Sequence, residues 1–283
     1  MIVVNCCGPF NEKITAFARA ATLIVSQDVF NDSLSTSWQD IWVLPENDHD
    51  FMNLLNDGAS KVVLQVPKNT QEVLNFPLDR IIWKVADPNT CIDVLLSHGC
   101  QFMFHVDSQE DVDMIVRGYK SVSQFYFSVN SIDSIDIRLL NNSGLGVIIG
   151  QDLISLGENG AGNTTLADIL CDQLSSDRPD ALFPTIVTDE QGIALGLCYS
   201  SKQSLNEAIM LGKGVYWSRK RGLWIKGETT GATQELVSIS LDCDCDTLRF
   251  AVRQKNPGKC LSLIRRILPF RNKNLFWIFC RYC

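Results

Sequence analysis

From Met1 to Gly150, short apolar runs alternate with amphipathic stretches, and this alternation restricts the fold more than any other feature of the chain. A strand followed by a helix, repeated, packs as a mostly parallel sheet with helices outside it. Ile2-Val3-Val4 reads as a strand and Glu12 to Val25 as a helix, with Ile14, Phe17, Ala18 and Ala21 on one face. Ile41 to Leu44 is the next strand, ended by Pro45. Asp50 to Asn56 is a short helix, and Lys61 to Val66 and Arg80 to Val85 are strands. Asn89 to Ser97 reads as a helix with Gly99 just past its end. Gln101 to Val106 is a strand, and Ser108-Gln109-Glu110-Asp111 has the form of a capping box that opens a helix. Gln124 to Val129 and Gly146 to Ile149 complete the series as strands. A full eight-unit barrel takes about 200 residues or more. The expectation for residues 1–156 is therefore a partial barrel-like or open, mostly parallel sheet.

A linker with a connecting helix is expected over 157–180. Gly157-Glu158-Asn159-Gly160-Ala161-Gly162 is glycine-rich but lacks the strand–turn–helix context of a phosphate cradle, so it reads as linker. Thr164 or Thr165 caps a helix to about Gln173, and Ser175 to Asp180 is a second polar break. From Leu182 the pattern changes. Leu182 to Asp189 and Ala194 to Tyr199 form a hairpin around Glu190-Gln191-Gly192. A helix follows from Ser201 to Leu211, then Val215 to Ser218 and Leu223 to Ile225 as paired strands. This second domain, 181–260, is expected to be small, α+β, with an antiparallel sheet. Residues 261–283 form a basic and apolar tail: no acidic residue follows Asp246.

Composition narrows the function classes. A net charge of −7 gives no general reason to expect nucleic-acid binding. No apolar run approaches the ~20 residues of a spanning helix, so no membrane is expected. Eleven cysteines at irregular spacing, with no secretory signal pattern at Met1 to Phe10, fit a reducing cytoplasm with thiols free or metal-bound. His49, His98 and His105 are the histidines, so chemistry in the C-terminal half must use other groups.

Two stretches there carry chemistry. If Asp242-Cys243-Asp244-Cys245-Asp246 is a strand, its three carboxylates share one face and its two thiols the other. Clustered carboxylates repel, and a hard cation such as Mg2+ relieves that repulsion. Thiolates suit Zn2+, given further ligands from elsewhere. The alternative is an acidic surface loop with incidental cysteines. In Ser218-Arg219 and Lys226-Gly227-Glu228-Thr229-Thr230-Gly231, Arg219 and Lys226 can pair with phosphate oxygens, and Thr229 and Thr230 offer hydroxyls. The alternative is a hairpin turn with solvated charges.

Taken together, several motifs in order resemble phosphoribosyl-AMP cyclohydrolase over residues 181–260. They are Phe183-Pro184-Thr185-Ile186-Val187, Tyr199-Ser200, Gly212 to Arg219, Leu223 to Gly231 with Gln234-Glu235-Leu236, and Asp242 to Leu248. The whole arrangement is similar to the N-terminal part of the fungal trifunctional histidine-biosynthesis protein. The resemblance implies hydrolytic opening of the adenine ring of 1-(5-phosphoribosyl)-AMP by zinc-activated water, with magnesium. It implies a homodimer and a phosphorylated nucleotide substrate. It further implies Mg2+ on Asp242, Asp244 and Asp246, Zn2+ on Cys243 and Cys260, and substrate contacts from Arg219, Lys226, Glu228, Thr229 and Thr230.

The sequence leaves the family pattern after Cys260. The family has His directly after that cysteine and a third zinc cysteine seven residues on; here stand Leu261 and Ile267. The expectation from this break is a truncation or frameshift, and with it a second reading: an inactive relic without a complete zinc site. A third reading makes the N-terminal domain a scaffold, with the basic tail contacting RNA or acidic lipid. His105, Asp107 and Asp87 lie at strand ends, where α/β sites form, and His105 and Asp107 are read as local hydrogen-bonding groups.

Overall fold

The computed structural model describes residues 1–6, 8–33, 40–67, 75–87, 90, 92–119, 125–157 and 164–255. The chain divides into two compact units, Met1–Gln173 and Leu174–Cys283.

The first unit is a closed barrel of parallel strands. They are β1 (Ile2–Cys6), β2 (Thr22–Ser26), β3 (Ile41–Leu44), β4 (Lys61–Gln65), β5 (Ile81–Val85), β6 (Gln101–Val106), β7 (Phe125–Val129) and β8 (Gly146–Gly150). Each pairs with the next, and β1 pairs with β8 as well, Ile2 beside Val147 and Val4 beside Ile149. Both faces of the sheet are buried. Val3, Ile24, Trp42, Val63, Ile82, Met103 and Ile148 pack together as one core cluster. Their strand neighbours on the opposite face, such as Val4, Leu23, Phe102 and Val147, are buried too. Strands buried on both faces read as near-continuous apolar runs, and that is why the α/β pattern was visible in the sequence.

One expectation needs correction. The helix expected from Glu12 to Val25 stops early: α1 is Glu12–Phe17, capped by the Asn11 side chain, which accepts the Ile14 N–H at 3.0 Å. Thr22–Ser26 is instead strand β2. A short apolar run with β-branched residues cannot be told from a buried helix segment by periodicity alone. That eighth strand lets the sheet close. It closes within Met1–Gly150 because the intervening helices are short. They are α2 (Gln27–Ser33), α3 (Phe51–Asn56), α4 (Asp93–Ser97), α5 (Gln109–Gly118) and α6 (Ile137–Asn142), followed by α7 (Leu166–Gln173). The capping box expected at Ser108 is present: its hydroxyl accepts the Asp111 N–H and the Asp111 carboxylate accepts the Ser108 N–H at 3.0 Å. Most of the glycine-rich stretch read as linker, residues 158–163, lies outside the described residues.

The second unit holds a four-stranded sheet in the order β10 (Ala194–Ser200), β9 (Phe183–Thr188), β14 (Leu248–Gln254), β13 (Gln234–Leu241). It is antiparallel except where β14 runs parallel to β9. β11 (Val215–Ser218) and β12 (Gly222–Ile225) form a separate hairpin. Helix α8 (Lys202–Leu211) starts at a Ser201–Ser204 capping box and ends where Gly212 takes φ of 60°. Its buried face is Leu205, Ala208 and Ile209. The core gathers Tyr216, Leu236, Leu248, Phe250 and Val252, with the Tyr216 and Phe250 rings 5.5 Å apart. Among the described residues no helix is long and apolar enough to cross a membrane.

Candidate active site

The Asp-Cys alternation does not lie on a strand. β13 ends at Leu241 and β14 begins at Leu248, so Asp242 to Asp246 is the loop that joins them. The expected two-faced strand is corrected to a turn, in which Cys245 takes a positive φ of 57°. Asp242 organises it: its Oδ1 accepts the backbone N–H groups of Asp246 and Thr247, each at 3.1 Å. The Asp246 carboxylate accepts the Thr247 hydroxyl at 2.7 Å.

The carboxylates converge all the same. Asp242, Asp244 and Asp246, all exposed, each offer an oxygen within 4.8 Å of the others. Partial burial raises the Asp242 pKa, but hydrogen bonds from Thr247 and Asp246 outweigh it and hold the carboxyl below its usual range. Three oxygens so close suit a hard divalent cation, which takes six or more oxygen ligands at about 2.0–2.6 Å, some from water or substrate. For zinc the fit is incomplete. Cys243 is exposed, and no cluster of three or more potential ligands among the described residues includes a thiol. Cys260, Leu261 and Ile267 lie outside the described residues.

The cationic groups sit on the β11–β12 hairpin and the turn after it. Lys226, Glu228, Thr229 and Thr230 are on that turn, closed by the Gly231 N–H donating to the Gly227 carbonyl at 2.8 Å. Gly227 has φ of 83°, and a Cβ there would lie 2.2 Å from the Ala232 carbonyl carbon, so the turn requires glycine. Lys226 Nζ lies 5.1 Å from the Trp224 ring centre, and the Arg219 guanidinium 5.1 Å from that of Tyr199. Among the described residues the side chains of Arg219, Lys226, Glu228 and Thr229 make no hydrogen bond or ion pair, which leaves their polar atoms open to a ligand. A second guanidinium, Arg178, lies 4.4 Å from the Tyr199 ring centre. It is held by Asp180 at 2.9 and 2.7 Å, which keeps the Asp180 carboxyl below its ordinary range. Arg178 sits in a polar break, where only its charge could have marked it.

Comparison with known proteins places this unit. The family model for phosphoribosyl-AMP cyclohydrolase matches residues 196–262. The matched segment, within the second unit, is similar to the phosphoribosyl-AMP cyclohydrolase family. The cyclohydrolase match takes in both the aspartate loop and the cationic turn. A histidine biosynthesis trifunctional protein from Neurospora crassa is 60% identical over 95 residues, which is 34% of this chain and 11% of that protein. One from Komagataella pastoris is 35% identical over 217 residues, 74% of this chain and 25% of that protein. A phosphoribosyl-AMP cyclohydrolase from Thioalkalivibrio sulfidiphilus is 43% identical over 85 residues, 29% of this chain and 65% of that protein. The chain thus spans a quarter or less of these two trifunctional relatives.

Proposed function

We propose that the second unit hydrolyses the adenine ring of 1-(5-phosphoribosyl)-AMP. Water oxygen bonds to C6, the C6–N1 bond breaks, and N1 takes a proton. The observation that carries this reading is the convergence of Asp242, Asp244 and Asp246 inside a segment matching the cyclohydrolase family.

The chain's own groups divide the work. Arg219 and Lys226 pair with phosphate oxygens, Arg219 through its planar fork. Thr229 and Thr230 donate hydroxyl hydrogen bonds from the same turn, and Glu228 offers an acceptor. Asp242, Asp244 and Asp246 would hold Mg2+, which would neutralise their mutual repulsion. Zn2+, through Cys243 and Cys260, would lower the pKa of its bound water to about 7. Catalytic zinc sites take three protein ligands, and the ligand beyond these two cysteines is not assigned.

We also propose a homodimer in the cytoplasm. Edge strand β10 and its neighbour β9 present Leu197 opposite Ile186, 59% and 41% exposed, an apolar cross-strand pair left facing solvent.

A second reading, a cyclohydrolase-like unit without turnover, is favoured by Leu261 and Ile267 standing where the family has zinc ligands. Ultraviolet absorbance of the ring-opening reaction separates the two. Turnover with about one zinc per chain after gentle purification supports the enzyme. Metal-free, inactive protein from zinc-supplemented medium supports the relic, and Leu261→His with Ile267→Cys should then restore zinc.

A further inference from the structure

The two ends of the barrel treat their polar groups differently. At the N-terminal end of the strands, inward groups satisfy one another. The Thr22 hydroxyl donates to Asp40 at 2.6 Å, the Tyr126 hydroxyl donates to Gln101 at 3.3 Å, and Lys61 Nζ donates to the same Gln101 oxygen. Burial lowers the Lys61 pKa, and the charges of Asp40 and Asp79 oppose that shift.

At the C-terminal end a lysine is left without such a partner among the described residues. Side chains two residues apart on a strand share a face. Lys84 follows Ile82, and His105 follows Met103, both of which belong to the interior cluster. A cavity of about 150 Å³ lies there, floored by Ile24, Leu44 and Met103 and rimmed by Lys84, His105 and Ser128, with Asn5 beside them. That is room for about five waters or one small organic molecule. Among the described residues the Lys84 ammonium has no ion pair or hydrogen bond, unlike Lys61 at the other end. The His105 ring is fixed in place. The Asn130 amide nitrogen is 3.0 Å from its Nε2 and donates to Asp107 at 2.9 Å. An amide N–H only donates, so Nε2 accepts and the ring proton sits on Nδ1. Asp107, the nearby anion, is 77% exposed, and solvent screens it.

An apolar hollow with a few convergent polar groups is the usual form of a small-molecule site, and this end of a parallel barrel is where such sites lie. We propose that the C-terminal mouth of the barrel binds a small oxyanion-bearing molecule, with the Lys84 ammonium as its charge partner and His105 and Ser128 as polar contacts. This site is separate from the cyclohydrolase unit and does not depend on its activity.

Calorimetric titration of the full chain tests the proposal, with inorganic phosphate and glycerol 3-phosphate as phosphate probes, butyrate as a carboxylate probe and glycerol as the neutral control. The expected result is saturable binding of at least one oxyanion probe, and the arms tell which head group is preferred. Lys84→Met should weaken it about tenfold or more, the scale of a lost charged hydrogen bond. An unchanged thermal melt of Lys84→Met excludes unfolding as the cause. The paired variant Arg219→Met, Lys226→Met should retain the binding, which distinguishes it from phosphate held at the cyclohydrolase site. No saturable heat at millimolar concentrations, equal binding of glycerol, or affinity untouched by Lys84→Met overturns the proposal.

Discussion

The Asp242 carboxylate accepts the Thr247 backbone N–H at 3.1 Å, across the loop that joins β13 to β14. The same oxygen takes the Asp246 N–H, so this candidate metal ligand also shapes the loop. Asp244 makes no such backbone bond among the described residues. The two residues should therefore separate on substitution. Asp244→Asn is expected to weaken Mg2+ binding about tenfold or more while leaving the melt unchanged. Asp242→Ala should lose the metal and also about 0.5–1.5 kcal/mol of stability. Calorimetric Mg2+ titration and urea unfolding read the two effects. Mg2+ affinity unaffected by either change would remove the metal assignment.

Gly227→Ala tests the turn. Its added Cβ meets backbone, not a flexible side chain, at a φ that L-residues rarely adopt. A cost of about 2–4 kcal/mol is expected by the scale of strained backbone substitutions. Because Lys226 and Glu228 flank it, substrate KM should rise in whatever fraction stays folded. Urea unfolding that matches the parent protein would contradict the close contact with Ala232.

Glu190 gives a pH signature. A hydrogen bond from Arg253, at 3.1 Å from its Nε, and the charges of Arg253 and Lys255 hold its carboxyl below the usual range. A folded pKa below the unfolded value of about 4.3 means the contribution is present above that pH and lost as pH falls through the folded pKa. Glu190→Gln should thus be less stable than the parent near neutral pH, with the gap closing in acid. Melting midpoints across pH 3–7 check it, and a gap that widens in acid has the wrong sign.

Leu197→Lys tests the proposed dimer. Sedimentation velocity should find the parent protein as a dimer and the variant as a monomer, since a buried unpaired ammonium disfavours the interface. A parent protein that sediments as a monomer at tens of micromolar removes the proposal.

Much of the fold was legible locally. The Ser108 capping box, the hairpin around Glu190 and the helix from Ser201 to Leu211 are written in adjacent residues. Barrel closure is not: Ile2 pairs with Val147, a contact no local pattern announces. Strand β2 was hidden because Leu23-Ile24-Val25 extends the apolar face of the preceding helix. In the site, alternating Asp and Cys mimicked strand periodicity, while the positive φ of Cys245 leaves no trace in spacing. The carboxylates were identified correctly as a group, but what gathers them is a turn. Asn130, which joins His105 to Asp107, comes from the end of a different strand, so those two residues looked partnerless in one dimension.

Strand β14 lies between β9 and β13, although it is the last of the described strands to be synthesised. On the ribosome, the β9–β10 hairpin must wait with an unpaired flank until Leu248–Gln254 leaves the exit tunnel. Over that interval an exposed strand flank invites pairing with a neighbouring nascent chain. The sheet's central position is thus the last to be filled, and its protection from such pairing comes only once β14 is in place.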